Sequence, residues 1–305
     1  MSKAINPSPE LPPEIENAAR AGQLVVFVGA GISKLINCPS WDGFADKVLE
    51  QLIPKGIDYY ELSQIKGIAD PKKRLSIAKI VARKREIPID YPSIFDVEQK
   101  GESVYTHLNS FNSSFVTTNY EKYLRPKSRS AQPEDTWRYY RRDQLLSSHL
   151  DAKGAVIHLH GCVDDPGSMI FTTKDYLEHY SRSEVRVFLR ELFERKTVLF
   201  LGYGLDELEV LEYILRRGEV DGRLSGGEVV RRYMLQGFFQ AEQSLCDLLT
   251  EYYLESFGTQ LIGFPKDKKS YAHQTEILAL WGQRLSFGDV ELADEAVLLR
   301  GEING

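Results

Sequence analysis

Four short stretches carry side chains able to do chemistry on a ligand. Phe115-Val116-Thr117-Thr118-Asn119-Tyr120 is an apolar run that ends in two threonines, an asparagine and an aromatic. Such a run reads as a strand, and polar groups just past the carboxyl end of a parallel strand face the ligand crevice of an open α/β sheet. Asn119 can donate and accept at once, which suits orienting a sugar hydroxyl or a water. Capping a following helix is its plainer use. Ala155-Val156-Ile157-His158-Leu159-His160-Gly161 puts two histidines on one face of a strand. His160 stands last, beside a glycine that leaves space for a ligand, and histidine is the natural general base near neutral pH. His158 reads as its structural support. A pair of buried, hydrogen-bonded histidines is the alternative.

The other two stretches are glycine turns. Leu24-Val25-Val26-Phe27-Val28 runs straight into Gly29-Ala30-Gly31-Ile32-Ser33. Five apolar, largely β-branched residues read as a buried strand, and glycine at alternate positions lets a backbone turn sharply and approach a pyrophosphate. The helix after such a turn points free N–H groups at the phosphates. The third glycine of the usual dinucleotide fingerprint is missing. Thr197–Leu201 followed by Gly202-Tyr203-Gly204-Leu205-Asp206-Glu207 repeats the pattern. Asp206 there either caps the next helix or holds ribose hydroxyls.

Positioning these groups is the work of alternating strands and helices. Apolar runs at Leu24–Val28, Phe115–Thr118, Ala155–His160, Met169–Phe171, Thr197–Gly202, Tyr233–Gly237 and Gln260–Phe264 read as strands. Amphipathic patterns at Trp41–Leu52, Val185–Phe193, Leu208–Arg216, Gln240–Phe257 and Ala272–Leu285 read as helices. The alternation predicts an α/β, Rossmann-like, doubly wound parallel sheet with helices on both faces. A mostly helical insertion over residues 56–102, including Ala69–Lys84, is expected over one edge of the sheet. Leu124–Glu134 reads as a mobile loop. The catalytic domain is expected at residues 21–285, after a polar segment at 1–20 and before an acidic tail at 286–305.

Composition narrows the function classes. The chain has 305 residues, 42% hydrophobic and 27% charged, with ample length for a large core. A formal charge of -6 and a pI near 5.7 argue against direct nucleic-acid binding. The basic stretch Arg138-Tyr139-Tyr140-Arg141-Arg142 reads as a solvated loop or helix face. No apolar run approaches the roughly 18 residues of a membrane span, so a soluble, cytoplasmic protein without a membrane partner is expected. Cys38, Cys162 and Cys246 are scattered, and three cysteines build neither a disulfide framework nor a four-cysteine zinc site.

In this order and spacing, the residues resemble the sirtuin superfamily, closest to its bacterial branch of NAD-consuming domains of antiphage defence. Gly29-Ala30-Gly31-Ile32-Ser33 is similar to the family's GAGxS turn, and Pro39-Ser40-Trp41 sits where its nicotinamide-side loop follows. Thr117-Thr118-Asn119-Tyr120 resembles the branch's TTNY segment, and His160-Gly161 the catalytic histidine-glycine pair. Asp164-Asp165-Pro166 and Thr172-Thr173-Lys174-Asp175-Tyr176 continue that pair. Phe200-Leu201-Gly202-Tyr203-Gly204-Leu205 resembles the later turn that supports the adenosine half. The likeness covers about residues 20 to 285.

The resemblance implies NAD as substrate and no metal, with attack on the nicotinamide–ribose bond. Asn119 and His160 are the implied catalytic pair. Gly29, Ala30, Gly31, Ser33, Trp41, Thr118, Gly202, Tyr203, Gly204 and Asp206 are the implied NAD contacts. The chain departs from the protein deacylases of that family because it cannot build their zinc ribbon. Glu121 also replaces the usual aspartate after TTNY, and Asp206-Glu207 replaces the expected serine or asparagine. The leading expectation is an NAD glycohydrolase, a hydrolase that releases nicotinamide and ADP-ribose and depletes NAD in abortive infection. An NAD-dependent protein deacylase and a non-catalytic NAD or nucleotide-signal-binding module are the alternatives. Control through a homo-oligomer, a ring-forming ATPase or helicase partner, or a phage-derived trigger is expected of so toxic an activity.

Overall fold

Alternation along the central strand decides the layers. In β1 (Leu24–Val28) every residue is buried, with Leu24, Val26 and Val28 in one hydrophobic cluster and Val25 and Phe27 in another. The same division runs along β5 (Thr197–Leu201), where Leu199 and Leu201 join the first cluster and Val198 and Phe200 the second. A strand with both faces apolar must be covered on both sides, and here helices do it. This computed structural model describes residues 4–98, 101–204 and 231–286.

Among the described residues the sheet has seven strands, all parallel. Besides β1 and β5 they are β2 (Ser114–Thr117), β3 (Arg138–Tyr139), β4 (Val156–His158), β6 (Arg232–Phe238) and β7 (Thr259–Pro265), in the order β3-β4-β2-β1-β5-β6-β7. On the first face lie α1 (Pro13–Arg20), α7 (Val104–Leu108) and α11 (Ala272–Leu285). On the second lie α9 (Ser183–Arg195) and α10 (Gln243–Phe257). The fold is a doubly wound, Rossmann-like α/β sheet, as the alternation predicts. Because the chain passes from β4 on one side of β1 to β5 on the other, the strand order reverses beside β1, where such sheets open a crevice.

The segment between β1 and β2 carries α2 (Ala30–Lys34), α3 (Trp41–Leu52), α4 (Tyr59–Lys66), α5 (Pro71–Lys84) and α6 (Tyr91–Phe95). These helices share a third core with Tyr120, Cys162, Val163, Met169 and Phe171, residues that follow β2 and β4. The insertion therefore roofs the carboxyl ends of the strands and does not stand over a sheet edge. Aromatic packing explains the placement: Phe44 of α3 meets Phe95, Tyr120 and Phe171 at ring-centre distances of 5.0, 5.7 and 5.6 Å.

Three other expectations differ from what is observed. Met169–Phe171 is buried but forms no strand; it lies across the strand ends, where Ile170 N–H donates to the His160 carbonyl at 2.9 Å. Arg138 and Tyr139, taken as solvated, form the edge strand β3. Arg138 is 2% exposed because its guanidinium donates to Glu134 and to the carbonyls of Lys122 and Leu124. Those bonds replace water for a buried charge. Leu124–Glu134 is pinned rather than loose: Arg125 and Lys127 donate backbone N–H groups to Asn109, and Arg129 donates to the Lys153 carbonyl. The helical pattern at Leu208–Arg216 and, apart from Ser286, the tail at 286–305 lie outside the described residues. Among the described residues no helix is long and apolar enough to cross a membrane.

Candidate active site

Register brings the chemistry-bearing turns into one row. Val28 pairs with Thr117 on one side and Leu201 on the other, and Thr117 pairs with His158. The four strands therefore end level, and their next residues converge. An open cleft with a cavity volume of about 170 Å³ lies over them. Of the candidate residues, Ala30, Ser33, Trp41, Thr118, Asn119, His160 and Tyr203 line it.

The glycines lie behind that wall, with the two turns interlocked. Gly29 N–H donates to the Leu201 carbonyl at 2.9 Å, and Gly31 N–H donates to the Gly202 carbonyl at 2.8 Å. The helix that follows, α2, has only five residues. Two of the amides expected to face a pyrophosphate are thus used inside the protein. A side chain at Gly29 would strike the ring of Tyr203, which instead swings in to donate its hydroxyl to Thr118 at 3.1 Å. Gly204 is exposed with open space around it, and Asp206 lies outside the described residues.

Asn119 is held by a buried polar chain. Its Nδ2 donates to Ser33 Oγ at 2.7 Å and to the Gly29 carbonyl at 3.1 Å. Ser33 Oγ donates in turn to Glu121 at 2.8 Å, and the Tyr105 hydroxyl donates to the same carboxylate oxygen. With its donors turned inward, Asn119 offers a ligand its acceptor, Oδ1. Burial pushes the Glu121 carboxyl above the usual range, although the bonds from Tyr105 and Ser33 oppose that. Below, Thr117 Oγ1 bridges the Val28 carbonyl and the Asn119 N–H, and His158 Nδ1 bonds the Asn119 carbonyl at 3.0 Å. Glu121 and Tyr105 were not among the candidates. An acidic residue two places after Asn119 was visible, but its partners stand 88 and 16 residues away.

His160 sits across the cleft against α8 (Thr173–Ser181). Its Nε2 bonds the Tyr180 hydroxyl at 2.7 Å, and its Nδ1 bonds the Tyr176 hydroxyl at 3.3 Å. Burial, with His179 and Lys72 nearby, holds the imidazole well below its ordinary value of 6.5, so it is a neutral base at neutral pH. Helix α8 is set by its own cap and by the insertion. Thr172 and Asp175 form a capping box, Lys79 of α5 pairs with Asp175 at 3.2 Å, and Thr173 N–H donates to Ser76 at 3.0 Å. Lys72 of the same α5 lies 4.3 Å over the Tyr176 ring and 5.9 Å from Trp41. Cys38 also lines the cleft, but burial pushes its thiol up to about 12, which leaves it a poor nucleophile. Among the described residues no three His, Cys, Asp or Glu side chains gather as a metal site.

Residues 113–257, which hold Asn119, His160 and the second glycine turn, match the family model described as a SIR2-like domain. That segment, a little under half of the chain, is similar to SIR2-like domains. It is also 25% identical over 212 residues to Defense-associated sirtuin 2 of Bacillus subtilis, a stretch covering 65% of this chain and 19% of that protein. The chain thus spans about a fifth of that relative's length. The strand ends that carry Asn119 and His160 belong to the matched segment, while the first glycine turn lies before it.

Proposed function

We propose that this SIR2-like domain is an NAD glycohydrolase, releasing nicotinamide and ADP-ribose. The observation that carries the reading is a buried, neutral histidine, His160, lining the same cleft as Asn119 at the carboxyl ends of adjacent strands. The cleft suits a dinucleotide: Trp41, Tyr176, Tyr180 and Tyr203 offer flat apolar surface, and Lys72 offers a positive charge. In the reaction the bond between nicotinamide and ribose breaks, and its electron pair leaves with nicotinamide, which departs neutral. Water adds to the ribose carbon and gives up a proton to the His160 side of the cleft. Asn119 Oδ1 accepts from a ribose hydroxyl or from that water and so keeps the geometry close to the transition state. Ser33 and Glu121 fix the amide orientation.

The relative's name supports a role in defence, served by draining NAD from an infected cell. Such an activity must be held back in a healthy cytoplasm, and assembly into a homo-oligomer or onto a partner is the control we assign. A protein that is monomeric at micromolar concentration and fully active without any trigger would refute that control. The activity itself is tested by incubating the protein with NAD and an acetylated peptide and weighing the products. Nicotinamide and ADP-ribose with untouched peptide are expected. O-acetyl-ADP-ribose would make it a deacylase, and bound but uncleaved NAD a binding module.

A further inference from the structure

Both ring nitrogens of His160 are occupied by tyrosine hydroxyls from one helix. Tyr176 and Tyr180 stand four residues apart on α8, hence on one side of it, and both line the cleft. A neutral imidazole has one donor and one acceptor nitrogen. The two contacts fit that arrangement if the Tyr180 hydroxyl donates to Nε2, at 2.7 Å, and Nδ1–H donates to the Tyr176 oxygen, at 3.3 Å. His160 is only 4% exposed. With both nitrogens used, a water in the cleft meets a tyrosine hydroxyl before it meets the imidazole.

We propose, resting on the glycohydrolase reading, that Tyr180 is the relay through which His160 acts as base. As the water oxygen bonds to the ribose carbon, the water gives its proton to Tyr180 Oη. Tyr180 gives its own proton to His160 Nε2 in the same step. The phenol ends as it began, the histidine carries the proton, and nicotinamide has left with the electrons of the broken bond. Tyr176 is a positioning residue, holding Nδ1 so that Nε2 faces Tyr180. His179 backs the pair: it is fully buried, its ring centre is 6.0 Å from that of His160 and 4.9 Å from that of Tyr180, and it keeps the two rings from turning away.

The test is steady-state NAD hydrolysis by the full chain. Tyr180→Phe is expected to lower kcat at least 100-fold with KM within twofold, since loss of base catalysis removes roughly 10²–10⁴ in rate. His160→Ala should lose a similar factor, and the double variant should be no slower than His160→Ala, because two parts of one relay do not add. A structural tyrosine would instead multiply the losses. A kcat for Tyr180→Phe within twofold of wild type, or multiplying losses, overturns the relay. If Tyr180→Phe does not fold, a fluorinated tyrosine at position 180 keeps the shape and lowers the phenol's affinity for its proton. A changed kcat then supports the relay, and an unchanged one overturns it. Wild-type protein that binds NAD yet releases no nicotinamide, in its assembled form as well as its monomeric one, defeats the glycohydrolase reading itself, and the relay with it. Wild-type turnover that Tyr180→Phe leaves unchanged defeats the relay alone.

Discussion

Gly31 and Gly202 meet backbone to backbone: the Gly31 N–H donates to the Gly202 carbonyl at 2.8 Å, and a Cβ on Gly31 would sit 2.8 Å from the Gly202 Cα. Gly202 also holds a φ of +65°, and a Cβ there would run into the Ile32 backbone nitrogen. The two glycine turns are therefore one joint between β1 and β5. Gly29, Gly31 and Gly202 are each required by the other turn, and not only by a ligand.

Gly202→Ala should cost about 2–4 kcal/mol of stability, combining left-handed backbone strain with a backbone clash that no side-chain rotation relieves. Denaturant unfolding of the variant against wild type checks this. A loss below 0.5 kcal/mol would mean that the joint relaxes freely.

Ser33 couples stability to the site. Ser33→Ala removes the acceptor of Asn119 Nδ2 and one donor to the buried Glu121 carboxylate. The expected outcome is a loss of about 1–3 kcal/mol, the usual cost of leaving buried polar groups unpaired. Turnover should fall about tenfold, because the Asn119 amide then keeps only its bond to the Gly29 carbonyl and is held less firmly. Equilibrium unfolding and NAD turnover measured on the same preparation would separate the two effects. Asn119→Ala removes the acceptor itself and should lose at least 100-fold in kcat, with a stability loss of about 1–3 kcal/mol because the Gly29 carbonyl and Ser33 Oγ lose a buried donor.

How much of this was legible in the chain depended on the range of the interaction. Asn119 and His160 were readable because a polar residue after an apolar strand announces its own position at a strand end. The parallel sheet was readable from the alternation of short apolar runs with amphipathic ones. The edge strand β3 was not, because Arg138 and Tyr139 are two residues among charges, and burial of Arg138 depends on carbonyls 14 and 16 residues away. Met169–Phe171 misled for the opposite reason: its apolarity serves the roof of the cleft, not a strand. Tyr180 carries no local signal at all. Its role depends on a helix that the insertion holds in place through Lys79 and Ser76.

Acid should unfold the protein through its buried histidines. Burial, with Arg138 adding to it, lowers His158 from 6.5 to about 4, and burial, with Arg142, lowers His179 to about 3. A histidine that stays neutral in the native state contributes stability that is intact above pH 6.5. That contribution is lost as pH falls below 6.5, because the unfolded chain takes the proton first. The window therefore runs from 6.5 down to about 4 for His158 and about 3 for His179. At pH 5 each histidine withdraws about 2 kcal/mol. Unfolding free energies at pH 7.5 and pH 5 should differ in this sense, and His179→Phe should remove part of the difference. Equal slopes with pH in the variant and wild type would show that His179 takes no part.

Lys72 should act on substrate affinity. A dinucleotide brings two negative phosphates, yet the first glycine turn spends the N–H groups of Gly29 and Gly31 on the carbonyls of Leu201 and Gly202. Among the described residues, Lys72 is the one lysine or arginine that lines the cleft. It stands on a helix fixed at its start by the Asp70 cap and locked to α3 through Arg74, which pairs with Asp42 and Asp46. Its ammonium rests over the Tyr176 and Trp41 rings, so it is steered toward the cleft and away from a surface carboxylate. Lys72→Met keeps the apolar stem and removes the charge. KM for NAD is expected to rise about tenfold, equivalent to about 1.4 kcal/mol, with kcat within twofold. Lys72→Arg should restore most of the affinity, since a guanidinium also pairs with phosphate. Because Lys72 helps hold His160 below its ordinary range, the comparison belongs at pH 8, where the imidazole is neutral with or without it. An unchanged KM would remove Lys72 from the phosphate site and return that task to the remaining amides of the glycine turn.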